Sequence, residues 1–187
     1  MIRISLTDKD AIDIALKALS NKKIIVYPTD TIYGIGTDLD NDDGINRINK
    51  LKKRSQPMSI IVDNFESIRN KLIIDEKFMS EIQNIVPLGD TCIVSYVENA
   101  FNNRITQNGK IGFRVPNHKF LKKLLSIYEK PITTTSINET GNPPLNNPDE
   151  IEKKFGDKID LLIDGGIINN PPSSIYLFDN NEKTKIR

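Results

Sequence analysis

The sequence has few of the residues that build disulfides and metal sites. Its 187 residues include one Cys, one His and no Trp. Cys92 has no second cysteine to pair with, and no CxxC or Cys/His cluster is present, which excludes a disulfide framework and a structural zinc site. The only histidine, His118, rules out an HExxH metal site, and its place near a predicted helix start indicates an ordinary surface residue. We expect a reducing compartment and no metal held by protein ligands alone.

The sequence also has little net charge and no long apolar run. It has 26 Lys and Arg against 25 Asp and Glu, a formal charge of +1, which argues against broad, unspecific nucleic-acid binding as the main function. No segment approaches the roughly 20 apolar residues of a membrane span, and the N-terminal MIRISLTDKD lacks the apolar stretch of a signal peptide. Hydrophobic residues make up 37%, enough for a core. We therefore expect a cytoplasmic protein without a membrane segment, folded as one domain over residues 1–187.

Hydrophobic periodicity predicts strands and helices that alternate along the chain. The predicted strands are Ile2–Leu6, Lys23–Tyr27, Met58–Val62, Thr91–Val97, Ile111–Val115, Pro131–Thr135, Leu161–Asp164 and Ile175–Phe178. The predicted helices or amphipathic stretches are Ala11–Leu19, Ile45–Leu51, Phe65–Leu72, Glu76–Val86, Phe120–Leu125 and Glu150–Phe155. Thr7, with Asp10 as its capping-box acid, and Asn117 are predicted helix caps. The pattern indicates an α/β domain with a mixed sheet, because some strand pairs lack an intervening helix.

The sequence does not match the common phosphate-binding motifs, but polar loops follow several of its predicted strands. Gly34-Ile35-Gly36 has Leu39 where a dinucleotide fingerprint needs a third glycine, and GxxxxGK[ST] is absent. The polar strand-end segments are Thr29-Asp30-Thr31, Lys52-Lys53-Arg54, Arg114 and residues 133–138. Such loops converge where α/β proteins bind ligands, and their composition suits an anion. Two plainer interpretations stay open: a solvated helix C-terminus at Lys52-Lys53-Arg54, and an ordinary strand in the threonine run.

The motifs of the chain resemble a known family. IIVYPTDTIYGIG is followed by LKKRSQP, KIGFRVP, PITTTSINETGNP and DGG ahead of Ser173, in the order of the YrdC-like threonylcarbamoyl-AMP synthases. The resemblance implies a twisted mixed α/β sheet with flanking helices and a large concave, basic-lined cavity. It also implies a nucleotidyltransferase that converts L-threonine, bicarbonate and ATP into L-threonylcarbamoyladenylate and pyrophosphate. The expected recipient of the product is the tRNA threonylcarbamoyl-transfer machinery, with weak tRNA binding as a further expectation.

The resemblance assigns site residues by motif. The catalytic and ATP-binding set is Lys52, Arg54, Ser136 and Asn138, with Gln56 as a further ATP ligand. The threonine-binding set is Thr31, Arg114, Thr134 and Ser173. Arg114 is the natural partner of the threonine carboxylate, through a charge-assisted pair. Mg²⁺ is expected with ATP as part of the substrate.

The chain also departs from the family pattern at a few positions. Ile61 replaces a frequent histidine, Lys110 a frequent Thr or Ser, and Pro144 a frequent Ser. The chain ends at Arg187, soon after the last expected strand, as in the short form of the family. Two other functions stay open: a same-fold enzyme with a different carbamoyl or nucleotide substrate, and a non-catalytic module that binds double-stranded RNA or tRNA.

Overall fold

A computed structural model describes residues 1–53 and 57–187 of the chain. These residues form six α-helices, one turn of 3-10 helix at Val86–Leu88, and eleven strands. The strands are β1 (Ile2–Ser5), β2 (Ile25–Tyr27), β3 (Gly34–Gly36), β4 (Ser59–Ile61), β5 (Leu72–Ile73), β6 (Thr91–Tyr96), β7 (Lys110–Arg114), β8 (Ile132–Ser136), β9 (Leu161–Asp164), β10 (Ile175–Asp179) and β11 (Glu182–Lys185). The helices are α1 (Ala11–Ser20), α2 (Asp42–Lys52), α3 (Glu66–Arg69), α4 (Glu76–Ile85), α5 (Lys119–Tyr128) and α6 (Pro148–Phe155). None of these described helices has the length and apolar character needed to cross a membrane.

All described strands belong to one mixed sheet, in the order β1-β9-β2-β3-β8-β4-β7-β6-β10-β11, with β5 paired beside β6. The pairs β1-β9, β2-β9, β4-β7 and β6-β10 are parallel, and the others are antiparallel. The predicted mixed α/β sheet with flanking helices is therefore confirmed. Strand β8 lies at the middle of the sheet, between β3 and β4, so its side chains stand at the centre of both faces.

One face of the sheet is covered by helices along most of its width. In α2, Ile45, Ile48 and Leu51 recur every three residues and are all buried, as expected of the inner stripe of an amphipathic helix. They join one large hydrophobic cluster with apolar residues of α4, α6 and the strands beneath. Each fully buried side chain of this size contributes roughly 1.5–3 kcal/mol to stability. This face therefore supplies the main core.

The opposite face is only half covered. Helices α1 and α5 pack against each other over β1, β9 and β2 and form a second, smaller hydrophobic cluster. Beyond them, toward β4, β6, β7 and β10, alternate strand positions on the same face carry polar residues and glycine, such as Thr91 and Gly112, together with apolar ones such as Ile93. No described helix covers these positions, and they line an open cleft.

The predicted helix caps are wrong. The N-cap of α1 is Asp10, which makes no side-chain cap bond, whereas Thr7 belongs to the preceding turn, where its N–H donates to Ser5 Oγ at 3.3 Å. The N-cap of α5 is His118 rather than Asn117, and it too makes no side-chain cap bond. Asn117 instead accepts a hydrogen bond from Lys122 Nζ at 3.1 Å. Both errors displace a helix start by one to three residues, which local patterns do not fix.

Three strands differ from the sequence prediction. β3 lies in the segment predicted as loop, because two of its three residues are glycines, which are poor strand formers. β5 lies at the end of a stretch predicted as amphipathic helix, and its two residues are too short for a period to show. β11 is fully exposed and carries no apolar alternation. Asn180 and Asn181, both with positive φ, form the hairpin turn before it.

Candidate active site

The cleft on the open half of the sheet has a volume of about 750 Å³. Five of the predicted site residues line it: Thr31, Arg114, Thr134, Ser136 and Ser173. They come from the β2–β3 loop, the end of β7, the middle strand β8 and the segment before β10. The order β8-β4-β7-β6-β10 brings these distant segments side by side.

Close packing explains why the YPTDTxYGxG motif has its first tyrosine and its two glycines. Tyr27 is fully buried, and its ring fills the space beside Gly34, where an added Cβ would lie 2.7 Å from a ring carbon. A Cβ on Gly36 would lie 1.9 Å from the Thr133 carbonyl oxygen. The Tyr27 hydroxyl lies 3.0 Å from Thr134 Oγ1, a residue of the cleft wall. Burial raises the pKa of the Tyr27 hydroxyl, which therefore stays protonated.

The hydroxyl of Thr31 lies 3.0 Å from that of Thr29. Thr29 Oγ1 donates its single proton to the carbonyl oxygen of Ile32 at 2.7 Å and accepts the backbone N–H groups of Thr31 at 3.0 Å and Ile32 at 3.2 Å. These two N–H groups already occupy both lone pairs of Thr29 Oγ1, so the protein does not fix the direction of the Thr31 hydroxyl. Thr31 can therefore donate to a ligand in the cleft or accept from it.

Lys52 and Asn138 lie behind Ser136 rather than in the described cleft lining. The Lys52 ammonium is buried and donates to the carbonyl oxygens of Ser136 at 2.5 Å and Asn138 at 3.1 Å, and to Asn138 Oδ1 at 2.8 Å. Ser136 Oγ donates to the same Oδ1 at 2.7 Å. This arrangement fixes the SxN segment at the cleft wall. Direct contact of Lys52 or Asn138 with a nucleotide stays a prediction, and Arg54 and Gln56 lie outside the described residues.

Arg114 forms an ion pair with Asp30, and His118 lies nearby. Arg114 Nη2 is 2.8 Å from Asp30 Oδ2. His118 is half-buried rather than on the open surface, so the predicted surface position is only partly right. Burial lowers the pKa of His118, while the Asp30 charge acts in the opposite direction. The imidazole is therefore neutral at pH 7.

Two cations of the cleft were missed by the site prediction from sequence. Arg187 lines the cleft, and its Nε donates to the Ser173 carbonyl oxygen at 3.0 Å. Burial and the nearby charge of Arg114 lower the pKa of Arg187. Lys110 also lines the cleft and forms a 2.8 Å ion pair with Asp179. No local pattern marks Arg187, which follows an exposed polar strand, whereas Lys110 was visible as a departure from the family pattern.

The charged groups of the described cleft lining favour an anion. They comprise three cations, Lys110, Arg114 and Arg187, and one carboxylate, Asp179. Ile61, where the family often has histidine, is buried against Tyr27 and the α5 residues and is not part of that lining. Where the family often has a histidine, this chain therefore has an apolar side chain that does not face the cleft.

The half-open mixed sheet and its cationic cleft define an α/β protein suited to anionic small molecules. The chain belongs to the Sua5/YciO/YrdC family, whose profile, described as "Telomere recombination", matches residues 17–187. A threonylcarbamoyl-AMP synthase of Photorhabdus laumondii is 31% identical over 159 residues, 81% of this chain and 83% of the relative. Another, of Vibrio campbellii, is 28% identical over 166 residues, 86% of this chain and 90% of the relative.

Two solved structures share the fold. Sua5 of P. abyssi, solved in complex with L-threonine, superposes with a TM-score of 0.90 at 25% identity over 100% of this chain. The present chain spans 57% of that Sua5 chain. YciO of E. coli superposes with a TM-score of 0.89 at 21% identity, covering 100% of this chain and 92% of its own. The likeness to YciO concerns the fold alone.

Proposed function

We propose that the protein is an L-threonylcarbamoyladenylate synthase, a nucleotidyltransferase that uses L-threonine, bicarbonate and ATP. The observation that carries the proposal is the presence in one cationic cleft of all four residues that the family motifs assign to threonine, together with Ser136 of the SxN motif. The relatives named threonylcarbamoyl-AMP synthase and the threonine complex of a Sua5 protein support it.

Threonine binds at the Arg114 end of the cleft. Arg114 pairs with the carboxylate, because a guanidinium in a largely buried wall attracts it strongly. Thr31, which lines the cleft, forms a hydrogen bond with the amine or the side-chain hydroxyl of threonine. Thr134 and Ser173 complete the polar contacts on either side. The geometry thus offers a guanidinium for the carboxylate and several neutral hydroxyls for the amine and the side-chain hydroxyl of an amino acid.

ATP binds along the remaining cleft, where Ser136 and the cations Lys110 and Arg187 face its phosphates. Lys52 supports Ser136 and Asn138 from behind. Among residues 1–53 and 57–187, no three His, Cys, Asp or Glu side chains form a group that could hold a metal. The described residues therefore do not fit a resident metal centre, and Mg²⁺ is expected to arrive bound to the triphosphate.

The reaction joins two anions and needs no protein nucleophile. The amine of L-threonine combines with bicarbonate and loses water, which gives a carbamate. A carbamate oxygen then attacks the α-phosphorus of ATP, the new O–P bond forms, and the bond to the pyrophosphate oxygen breaks. The protein must hold the two anions close together and in line, and the cations of the cleft lower their mutual repulsion. Positioning and electrostatics therefore account for the role of the residues present.

The product is expected to pass to the tRNA threonylcarbamoyl-transfer machinery, with at most weak tRNA binding by this chain. The formal charge of +1 and the concentration of cations inside one cleft support a small anionic substrate over an extended polyanion. A cytoplasmic location and a single domain over residues 1–187 are parts of the same proposal.

Pyrophosphate release tests the proposed function. Purified protein is incubated with ATP, Mg²⁺ and bicarbonate, and each amino acid is added in turn. Release that depends on threonine supports the proposal, whereas release with another amino acid identifies a same-fold enzyme of different specificity. Tight RNA binding that weakens steeply with salt, without ATP binding, identifies an RNA-binding module instead.

A further inference from the structure

The guanidinium of Arg114 is held from behind by one carboxylate. The Arg114 and Asp30 side chains are 8% and 16% exposed, and Nη2 lies 2.8 Å from Oδ2. Asp30 itself is not part of the described cleft lining, whereas Arg114 is. The ion pair therefore runs from the cleft wall into the protein, so that Asp30 contacts the guanidinium without occupying ligand space.

The pair acts through charge rather than through aligned hydrogen bonds. Although Nη2 is close to Oδ2, its N–H bonds do not point at the carboxylate, and neither Nε nor Nη2 has a hydrogen-bond partner among the described residues. Buried N–H groups without acceptors cost free energy, so Arg114 is not arranged for maximal stability of the fold. Nε and Nη2 are themselves buried, so Nη1 is the guanidinium nitrogen that a ligand in the cleft can reach.

Asp30 is held in place by two hydrogen bonds. Its Oδ1 accepts the backbone N–H of Asn117 at 3.1 Å, and its backbone carbonyl oxygen accepts Asn170 Nδ2 at 3.0 Å. Gly89, with φ of 75°, leaves room for the carboxylate, because a Cβ there would lie 2.5 Å from Oδ2. Movement of the carboxylate away from Arg114 would cost the bond to Asn117. Asp30 is thus an anchor for Arg114.

Other charged groups near the pair make this anchor necessary. Arg187 lines the same cleft and its charge interacts unfavourably with that of Arg114. His118, whose imidazole is neutral or positive, cannot compensate a lost carboxylate. Without the Asp30 charge, Arg114 would stand largely buried beside a second guanidinium with no anion within ion-pair distance among the described residues. An uncompensated buried charge is costly, which favours a rotamer of Arg114 that brings the guanidinium closer to water.

We propose that Asp30 is a positioning residue that holds Arg114 in the cleft wall in the orientation that binds the carboxylate of L-threonine. The inference rests on the proposed function, since it takes the threonine carboxylate as the ligand of Arg114. Asp30 raises affinity for a carboxylate although it is itself negative, because it fixes the guanidinium through Nη2 and leaves Nη1 to the ligand. The opposite expectation, that removal of a competing carboxylate strengthens binding, follows if Arg114 stays in place.

Calorimetric titration with L-threonine and with L-threonine amide tests the proposal. Asp30→Asn keeps the shape and removes the charge, and the Kd for L-threonine is expected to rise by about tenfold or more. The Kd for the amide, which has no carboxylate, is expected to change less than about twofold. In an Arg114→Gln background, Asp30→Asn should add no further loss. Asp42→Asn, at the exposed pair with Arg104, is the matched control and should leave both affinities unchanged.

Each outcome decides the matter. Equal or tighter threonine binding by Asp30→Asn overturns the inference alone, as does an equal loss for threonine and its amide, which indicates a general structural role. If the unaltered protein binds no threonine, the proposed function fails and this inference with it. If Asp30→Asn does not fold, Asp30→Glu, which keeps the charge but displaces it, is judged by the same comparison, with a threonine-specific loss expected.

Discussion

The buried ammonium of Lys52 gives the most quantitative prediction. Lys52→Met keeps the length of the side chain but removes the donor to three oxygens of Ser136 and Asn138, at 2.5, 3.1 and 2.8 Å. Asn138 Oδ1 keeps the Ser136 hydroxyl as a donor, whereas each buried carbonyl oxygen left without a donor costs on the order of 1–3 kcal/mol. Release from the cost of burying a charge offsets part of this loss. We expect a net destabilisation of about 3 kcal/mol, or roughly 9 °C in Tm for a domain of this size.

Thermal unfolding followed by circular dichroism measures this effect. Lys53→Met is the matched control, because Lys53 is the next residue and its side chain is 70% exposed in a surface pair with Glu139. Its Tm should stay within about 2 °C of the unaltered protein. A Tm of Lys52→Met that also stays within that range would refute the reasoning, since the ammonium would then not be needed to hold the SxN segment. Lys52 would have to act directly on a ligand.

Three further predictions concern the cleft wall and its surroundings. Tyr27→Phe removes the hydroxyl beside Thr134 and should raise the KM for threonine about threefold or more, while the KM for ATP stays unchanged. Tyr128→Phe, outside the cleft, is the control. Equal changes in both KM values would contradict a role of Tyr27 in threonine binding. Gly36→Ala should abolish soluble expression, because its Cβ would collide with the Thr133 carbonyl; a folded variant would show that β8 can move. Burial lowers the pKa of His118, so below about pH 6.5 the unfolded chain binds a proton more readily than the folded protein, and the free energy of unfolding decreases as the pH falls. In urea unfolding, His118→Gln should lose less of this free energy between about pH 7 and pH 5 than the unaltered protein. An equal loss in both proteins would contradict the assignment.

Much of the fold could be predicted because its elements have strong local patterns. The bounds of β9 agree with the prediction, and α1, α4 and α6 differ by one or two residues, since each carries a clear apolar period. β11 could not be predicted this way, because an exposed edge strand buries nothing and has no period. Its partner strand β10 was predicted as Ile175–Phe178, one residue shorter than in the structure.

The site was also predicted only in part, because local motifs mark some of its residues and not others. Motifs identified five residues that line the cleft, but they did not distinguish the residues that face it from those that support it. Lys52 donates to backbone carbonyls more than 80 residues away in sequence, a contact that no local pattern contains. The role of Asp30 behind Arg114 is equally non-local. Arg187 reaches the cleft only because the β10–β11 hairpin returns the chain to Ser173 and Ile175.

The central claim is that one cleft joins threonine, bicarbonate and ATP into an adenylate. Its most direct test is mass spectrometry of the product formed from ATP, Mg²⁺, L-threonine and isotopically labelled bicarbonate. The account predicts threonylcarbamoyl-AMP that carries the label, formed together with pyrophosphate, and a large loss of both in Arg114→Gln. Pyrophosphate release without a labelled adduct, or an adduct that forms equally well in Arg114→Gln, would contradict it.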